Sequence, residues 1–145
     1  MSKTFAKFGS ISHGTMRPED LIPSFVWELR RLAKRAGRVR EFAPLIKDAE
    51  NTSEEDAPDI LDELFTALEE FAPPYGYFGA HEGDGSDYGF WLYRHALDEF
   101  DGLKVSDTSE VPRGYSGEVM HVNDHGNATL YNYVRGRAYE VWSIV

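Results

Sequence analysis

Residues 118–145 read EVMHVNDHGNATLYNYVRGRAYEVWSIV, and this stretch determines the predicted fold class. It contains three segments rich in β-branched and aromatic residues, at 118–123, 128–134 and 138–145. The connections, 124–127 and 135–137, are short and contain Asp, Asn and Gly, which are typical of tight turns. Because connections of this length join antiparallel neighbours, the sequence predicts three adjacent antiparallel strands here.

The segment before these strands has the same aromatic, glycine-punctuated character. Residues 75–80 and 88–93 predict two further strands, and the glycine- and acid-rich residues 83–87 between them predict a loop. Residues 94–100 predict one or two helical turns. Pro112 and Gly114 are among the breakers that predict irregular structure at 103–117.

The first half of the chain has helical periodicity instead. Apolar residues recur at helical spacing over 18–36, and a shorter helix is predicted at 41–49. A third helix is predicted after the cap candidates Thr52 and Ser53, and it ends at the proline pair that begins with Pro73. These patterns predict an α+β fold in which N-terminal helices pack on a mostly antiparallel C-terminal sheet. We expect a single domain, 1–145, with a helical layer at 1–74 and a sheet layer at 75–145.

Composition restricts the class of function. The chain has 145 residues, no cysteine, and 41% hydrophobic residues. The absence of cysteine excludes disulfides, zinc–thiolate sites and cysteine nucleophiles. No apolar run is long enough to cross a membrane, and residues 1–15 lack the apolar core of a signal peptide. We therefore expect a cytoplasmic protein.

Charge is unevenly distributed along the chain, whose formal net charge is −10. Residues 1–47 hold ten basic and four acidic side chains, and residues 48–145 hold five basic and 21 acidic ones. The basic residues concentrate at 30–40, as Arg30, Arg31, Lys34, Arg35, Arg38 and Arg40. The acidic residues concentrate at 54–63, as Glu54, Glu55, Asp56, Asp59, Asp62 and Glu63. The two runs could pair or lie solvated, the basic run could bind nucleic acid, or the acidic run could bind a basic partner.

Two histidine-containing clusters are the candidates for chemistry. The first is HEGDGSD, from His81 to Asp87, which matches neither a zincin helix nor an EF-hand loop and is best interpreted as a hairpin loop. The second contains His121 and His125 around the turn-forming segment 124–127. Neither predicts a catalytic residue, a metal or a cofactor. A small metal-dependent or acid–base enzyme that uses His81, Asp84, His121 and His125 stays a third alternative.

Tyrosines are concentrated in the second half of the chain. All eight follow residue 74, and Tyr131 and Tyr133 lie on one face of their predicted strand. They could be amphipathic sheet residues, or part of a recognition surface ringed by carboxylates.

Two short stretches carry a resemblance. They are GTMRPEDLIP at 14–23, and VNDHGN at 122–127 leading to Leu130 and Tyr131. They resemble small accessory proteins encoded by bacterial phages and plasmids. The resemblance implies a mobile-element context, in which small acidic proteins counter host defence, some by mimicking the charge of DNA, or act as immunity proteins against toxins.

The function predicted from the sequence is a small acidic protein-binding module, not an enzyme, that inhibits a basic, nucleic-acid-handling host defence protein by charge mimicry. Its partner would be a basic host or toxin protein. The main alternative is nucleic-acid binding by the basic helix at 30–40, which a net charge of −10 opposes. The predicted partner-binding residues are Glu54, Glu55, Asp59, Asp62, Asp84, Asp87, Tyr131 and Tyr133.

Overall fold

The computed structural model describes residues 4–144, which contain both helices and strands and confirm the α+β class. The chain divides into two compact units between Leu92 and Tyr93, where the sequence predicts one domain. The predicted change of layer at residue 74 lies inside the first unit. None of the described helices is long and apolar enough to cross a membrane.

The first unit contains three helices and a three-stranded antiparallel sheet of strand order β1-β3-β2. Its elements are β1 (Gly9–Ser12), α1 (Pro18–Ala36), α2 (Val39–Glu50), α3 (Ala57–Glu69), β2 (Gly76–His81) and β3 (Asp84–Leu92). The predicted helices are therefore present, with bounds shifted by a few residues. The predicted loop at 83–87 is shorter than expected, because β3 begins at Asp84 and pairs with His81 across a tight turn.

Local signals account for the ends of the first helix. Pro18 occupies the first turn of α1, where its missing N–H has no helical partner, and Glu19 and Asp20 stabilise the positive end. Gly37 ends the helix in the left-handed conformation, with a φ of 69°. Pro23 lies inside α1, and the helix continues through it.

The core of the first unit lies between the helices and the three-stranded sheet. Phe25 of α1 contacts Phe78 of β2 edge-on, with ring centroids 5.1 Å apart, and Phe65 of α3 at 5.2 Å. Phe78 also contacts Phe90 of β3 at 4.9 Å. Such aromatic pairs contribute about 0.5–1.5 kcal/mol beyond the area they bury. These contacts join α1 and α3 to the sheet, so these two helices pack on the three-stranded sheet of the first unit.

Strand β1 is absent from the sequence prediction, because GSIS is short and has no clear alternation. Its position depends on Gly89, which pairs with Ser10 in the middle of β3. A Cβ atom at residue 89 would lie 2.1 Å from the carbonyl oxygen of Gly9. Only a glycine at this position allows β1 to pair this closely with β3.

The second unit contains a four-stranded sheet of order β4-β5-β6-β7. Its elements are α4 (Ala96–Glu99), β4 (Leu103–Val105), a 3₁₀ turn (Thr108–Glu110), β5 (Gly117–Val122), β6 (Ala128–Val134) and β7 (Arg137–Ile144). The three predicted C-terminal strands are β5, β6 and β7; Val145, included in the last prediction, lies outside the described residues. The prediction of irregular structure at 103–117 is wrong for β4, which pairs with β5 in parallel.

The turn between β6 and β7 consists of Arg135 and Gly136, with φ values of 51° and 83°. Two successive positive φ values are typical of a type I′ turn, whose twist suits a two-residue hairpin. One face of the sheet has a small core of Val105, Val119 and Tyr133.

Candidate functional site

Six carboxylates form the most concentrated charge in the chain. We call them the acidic surface: Glu54, Glu55, Asp56, Asp59, Asp62 and Glu63. All six are exposed, in the turn before α3 and in its first two turns. The local reason is the helical period, because Ala57, Ile60 and Leu64 occupy the buried side of α3 and leave the intervening positions to solvent.

The acidic surface has little internal counter-charge. None of its six carboxylates forms an ion pair with another residue in the described range 4–144. Asp56 alone accepts a side-chain hydrogen bond, from the Ser53 hydroxyl at 3.1 Å. Asp59 lies three residues before Asp62 and four before Glu63, so its carboxylate is a neighbour of both on the helix and is repelled by both.

The basic residues of α1 and α2 pair with other carboxylates. Arg30 contacts Glu50 at 2.6 Å, and Arg31 pairs with the buried Glu28 of its own helix. Of the alternatives for the two charged runs, pairing with each other is therefore not seen in the described residues, and the acidic run lies exposed to solvent. The free basic charge of segment 30–40 is reduced to Lys34, Arg35 and Arg40, which form no ion pair with a described residue.

Arg38 is the most engaged basic residue. Its guanidinium contacts Glu41 at 2.6 Å and Glu70 at 2.8 Å, and it lies over the Phe42 ring. Hydrogen bonds to Glu41, and then to Glu70, raise the pKa of Arg38 further above its ordinary value. The same guanidinium lowers the pKa of Glu41. Arg38 therefore joins the start of α2 to the end of α3, which is a structural role.

A groove of about 500 Å³ lies beside the acidic surface. Its floor is apolar and comes from three helices, with Ile22 and Pro23 of α1, Ala49 of α2, and Ala57 and Pro58 of α3. Charged residues also line it, namely Arg17, Glu19 and Glu54. Glu54 thus belongs to both features, so the acidic surface and the apolar groove adjoin.

The hairpin between β2 and β3 holds two predicted partner-binding residues. Asp84 is exposed and accepts hydrogen bonds from the Ser86 N–H at 3.0 Å and the Ser86 hydroxyl at 2.8 Å. These bonds, the backbone one first, lower the pKa of Asp84, with smaller contributions from His81 and His13. The Nδ1 atom of His81 accepts from the Gly83 N–H at 2.9 Å, and its ring contacts Trp91. Asp84 and His81 therefore both have hydrogen-bond donors within the hairpin.

Asp87 is half-buried and accepts a hydrogen bond from the Ser10 hydroxyl. This contact joins β3 to β1 and gives Asp87 an internal hydrogen-bond donor, and its predicted partner-binding role stays a prediction.

The second histidine cluster also has internal partners. His121 contacts the Ser106 carbonyl oxygen at 3.1 Å through Nε2. His125 lies in the turn that Asn123 holds by accepting from the N–H groups of His125 and Asn127, at 2.9 and 3.0 Å. The described residues contain no group of three or more His, Cys, Asp or Glu side chains that could hold a metal ion.

The two predicted tyrosine anchors differ in exposure. Tyr133 is 8% exposed and packs in the small core of the second unit, with Tyr115 and Tyr131 edge-on at 6.3 and 6.1 Å. Tyr131 is half-buried at the margin of that core. The prediction that both rings lie on a recognition surface is therefore corrected for Tyr133, whose ring is structural. Segment 108–115 supplies the covering residues, which strand periodicity does not reveal.

Sequence reasoning missed Glu28, which is 5% exposed. Glu28 lies three residues after Phe25 and four residues before Leu32, and both of those residues are buried. These spacings place all three side chains on one face of the helix, which was a sequence signal for the burial of Glu28. It also missed the two arginines near the β6–β7 turn, Arg113 and Arg135, which only the folding of the second unit brings to one cavity.

Comparison with protein-family models, curated proteins and solved structures gives no match to this chain. The likeness of residues 14–23 and 122–131 to mobile-element proteins therefore stays a prediction.

Proposed function

We propose that this chain is a protein-binding module that uses the acidic surface to occupy the basic, nucleic-acid-binding surface of another protein. In the mobile-element context that the resemblance implies, it would be a cytoplasmic accessory protein that inhibits a host defence protein. The observation that carries the proposal is the exposure of six carboxylates without a single internal ion pair among the described residues.

Energetics support a functional interpretation of this surface. Clustered like charges on one helix face destabilise it, by about 0.2–0.5 kcal/mol for each i,i+4 pair. Asp56 and Asp59 are partly compensated by the helix dipole, whereas Asp62 and Glu63 lie beyond its first turn. The chain therefore maintains a charge density that does not stabilise its own fold.

The spacing of the carboxylates is compatible with charge mimicry. Asp56, Asp59, Asp62 and Glu63 extend over eight residues, and the seven rises between the first and the last span about 10 Å of helix. That is roughly one charge per 3.5 Å, close to the ~3.4 Å per phosphate along one DNA strand. A protein surface that neutralises phosphates would meet a similar density of negative charge here.

The adjoining groove supports a protein partner over a simple counter-ion. A partner could insert an apolar side chain between Pro23 and Pro58 while its basic residues contact Glu54 and its neighbours. Such an apolar anchor within a polar rim is the usual composition of a protein interface. Charge would set the association rate, and the groove would contribute to the lifetime of the complex.

The test is affinity capture from the native host, followed by kinetics with the captured protein. The variant Glu55→Gln/Asp59→Asn/Asp62→Asn removes half of the acidic surface. Its control, Asp48→Asn/Glu82→Gln/Asp101→Asn, removes the same charge from other exposed positions that form no ion pair with a described residue. We expect the first variant to associate roughly tenfold more slowly at low salt, and the control much less so, because local field steers encounter.

Two further readouts distinguish the proposal from its alternatives. The first variant should have the same melting temperature as the parent chain or a slightly higher one, since the repulsion between its carboxylates is relieved. Duplex DNA should compete with the parent chain for the captured protein. Equal association rates for the two variants, or a clear fall in melting temperature for the first alone, would contradict the proposal. Capture of a toxin that does not bind DNA would favour an immunity-type inhibitor instead.

A further inference from the structure

The second unit contains a cavity of about 510 Å³ between segment 108–114 and the β6–β7 turn. Its volume is within the range of small-ligand sites, about 300–1,000 Å³. Two arginines line it, Arg113 and Arg135, and no carboxylate does. The chain has a net charge of −10, whereas this cavity is lined by two positive and no negative side chains. The local charge at the cavity is therefore opposite in sign to the charge of the whole chain.

Both guanidiniums are available to a ligand. Neither Arg113 nor Arg135 forms an ion pair with any residue of the described chain. The two nearest carboxylates in sequence are engaged within their own segment. Asp107 accepts from the Ser109 N–H at 2.8 Å, and Glu110 accepts from the Ser106 N–H and hydroxyl at 3.1 and 2.9 Å.

The hydroxyl of a largely buried tyrosine supplies a third donor. Tyr133 lines the cavity and is 8% exposed, yet its hydroxyl forms no hydrogen bond with another described residue. Among the described residues, no polar side-chain atom is both sealed from solvent and unpartnered, so this hydroxyl is accessible to solvent. The hydroxyls of Thr108 and Ser109 line the same space.

The backbone holds this site in shape. Arg135 adopts a φ of 51°, which a non-glycine residue rarely does outside a functional site or a turn of this type. Its N–H donates to the Ser116 hydroxyl at 2.9 Å, and the Gly136 N–H donates to the Tyr115 carbonyl at 2.8 Å. These bonds attach the turn that carries Arg135 to the segment that carries Arg113.

We propose that this cavity binds the phosphate group of a small phosphorylated ligand. A guanidinium presents two parallel N–H donors that match phosphate oxygens, and two of them neutralise a phosphate monoester dianion. The Tyr133 hydroxyl would bind a further oxygen. Val111 and Pro112 also line the cavity, and these apolar side chains would contact a non-phosphate part of the ligand. This activity is independent of the acidic surface, which lies in the first unit.

The probes are inorganic phosphate, adenosine 5′-monophosphate and adenosine, each titrated at constant ionic strength and followed by the amide and arginine side-chain signals in NMR spectra. We expect saturable shifts at 108–114 and 135–136 with both phosphate-bearing probes and none with adenosine. Tighter binding of the nucleotide than of free phosphate would identify an organic phosphate as the ligand; equal binding would identify the phosphate alone.

The variants are Arg113→Gln, Arg135→Asn and Tyr133→Phe, with Arg40→Gln as the matched control. Asn tolerates the left-handed conformation at residue 135, so the turn should persist in that variant. Loss of one charged donor should weaken phosphate binding roughly tenfold or more, and loss of the hydroxyl several-fold. The control, an exposed arginine of the first unit, should bind as the parent does.

Two outcomes would overturn the proposal. One is an NMR shift that does not saturate with phosphate, or a phosphate affinity that Arg40→Gln lowers as much as Arg113→Gln does. The other is unchanged phosphate affinity in Arg135→Asn with a native-like spectrum, because the cavity would then not be the site.

Discussion

Glu28 and Arg31 form an ion pair on one face of α1, and the carboxylate is buried while the guanidinium is partly exposed. Glu28 is the only described charged residue that is buried. Its partner belongs to the basic run that the sequence offers as a nucleic-acid interface. One of those basic residues is therefore required to neutralise a buried charge of the same helix.

We predict that Arg31→Gln lowers the free energy of unfolding by about 1–3 kcal/mol, because it leaves a buried carboxylate without its charged partner. Arg30→Gln, one residue earlier, breaks the exposed pair with Glu50 and should cost about 1 kcal/mol or less. Urea unfolding of both variants measures the difference. Equal losses in the two variants would contradict the conclusion that the buried carboxylate of Glu28 requires Arg31.

We predict that Gly89→Ala destabilises the first unit, because its Cβ would lie 2.1 Å from the Gly9 carbonyl oxygen. Displacement of β1 should lower the free energy of unfolding by about 1–3 kcal/mol or more. Gly85→Ala is the matched control in the same strand, since nothing lies within 4 Å of its added Cβ. Hydrogen exchange should show β1 amides losing protection in the first variant alone; retained protection there would contradict the assigned β1–β3 register.

We predict acid sensitivity in both units. The pKa values of Asp84 and Asp107 are lowered, in each case first by a backbone hydrogen bond, to Ser86 and Ser109 respectively. A carboxyl whose folded pKa lies below its unfolded value stabilises the fold above the unfolded pKa. That stabilisation is lost as the pH falls below about 4 and through the folded value.

The matching variant is Ser86→Ala, which removes the hydroxyl donor at 2.8 Å and leaves the backbone donor. The pKa of Asp84 should rise part of the way towards its ordinary value, as measured by NMR titration of the side-chain carboxyl carbon. Asp107, whose donors are unchanged, provides the control in the same titration. A rise in the pKa values of both Asp84 and Asp107 would indicate that the substitution changes the structure beyond the hairpin.

We predict weak binding to duplex DNA. Arg30, Arg31 and Arg38 are engaged with carboxylates, so Lys34, Arg35 and Arg40 carry the remaining free charge of segment 30–40. Fluorescence anisotropy at about 150 mM salt should give no dissociation constant tighter than about 10 µM. Submicromolar binding that is abolished by reversing those three charges would restore the nucleic-acid alternative.

Helices and hairpins were largely predictable because their signals are local. Pro18 and Gly37 mark the two ends of α1 through backbone geometry that a few neighbouring residues determine, whereas α3 ends at Glu69, four residues before the proline pair that begins at Pro73. The turns at 124–127 and 135–136 determine antiparallel pairing in the same way, since a short connection leaves the next strand only one place to pair.

The sequence by itself thus determined the α+β class, the helical first half, three C-terminal strands and the position of the acidic residues. The tertiary structure alone decided which charges pair, because Glu50 and Glu70 reach Arg30 and Arg38 only after the helices pack. It also decided the small strand β1, whose partner β3 lies far away in sequence, the parallel pairing of the short strand β4 with β5, and the burial of Tyr133. Contacts between distant segments depend on how whole elements pack, and no local pattern of residue types encodes that packing.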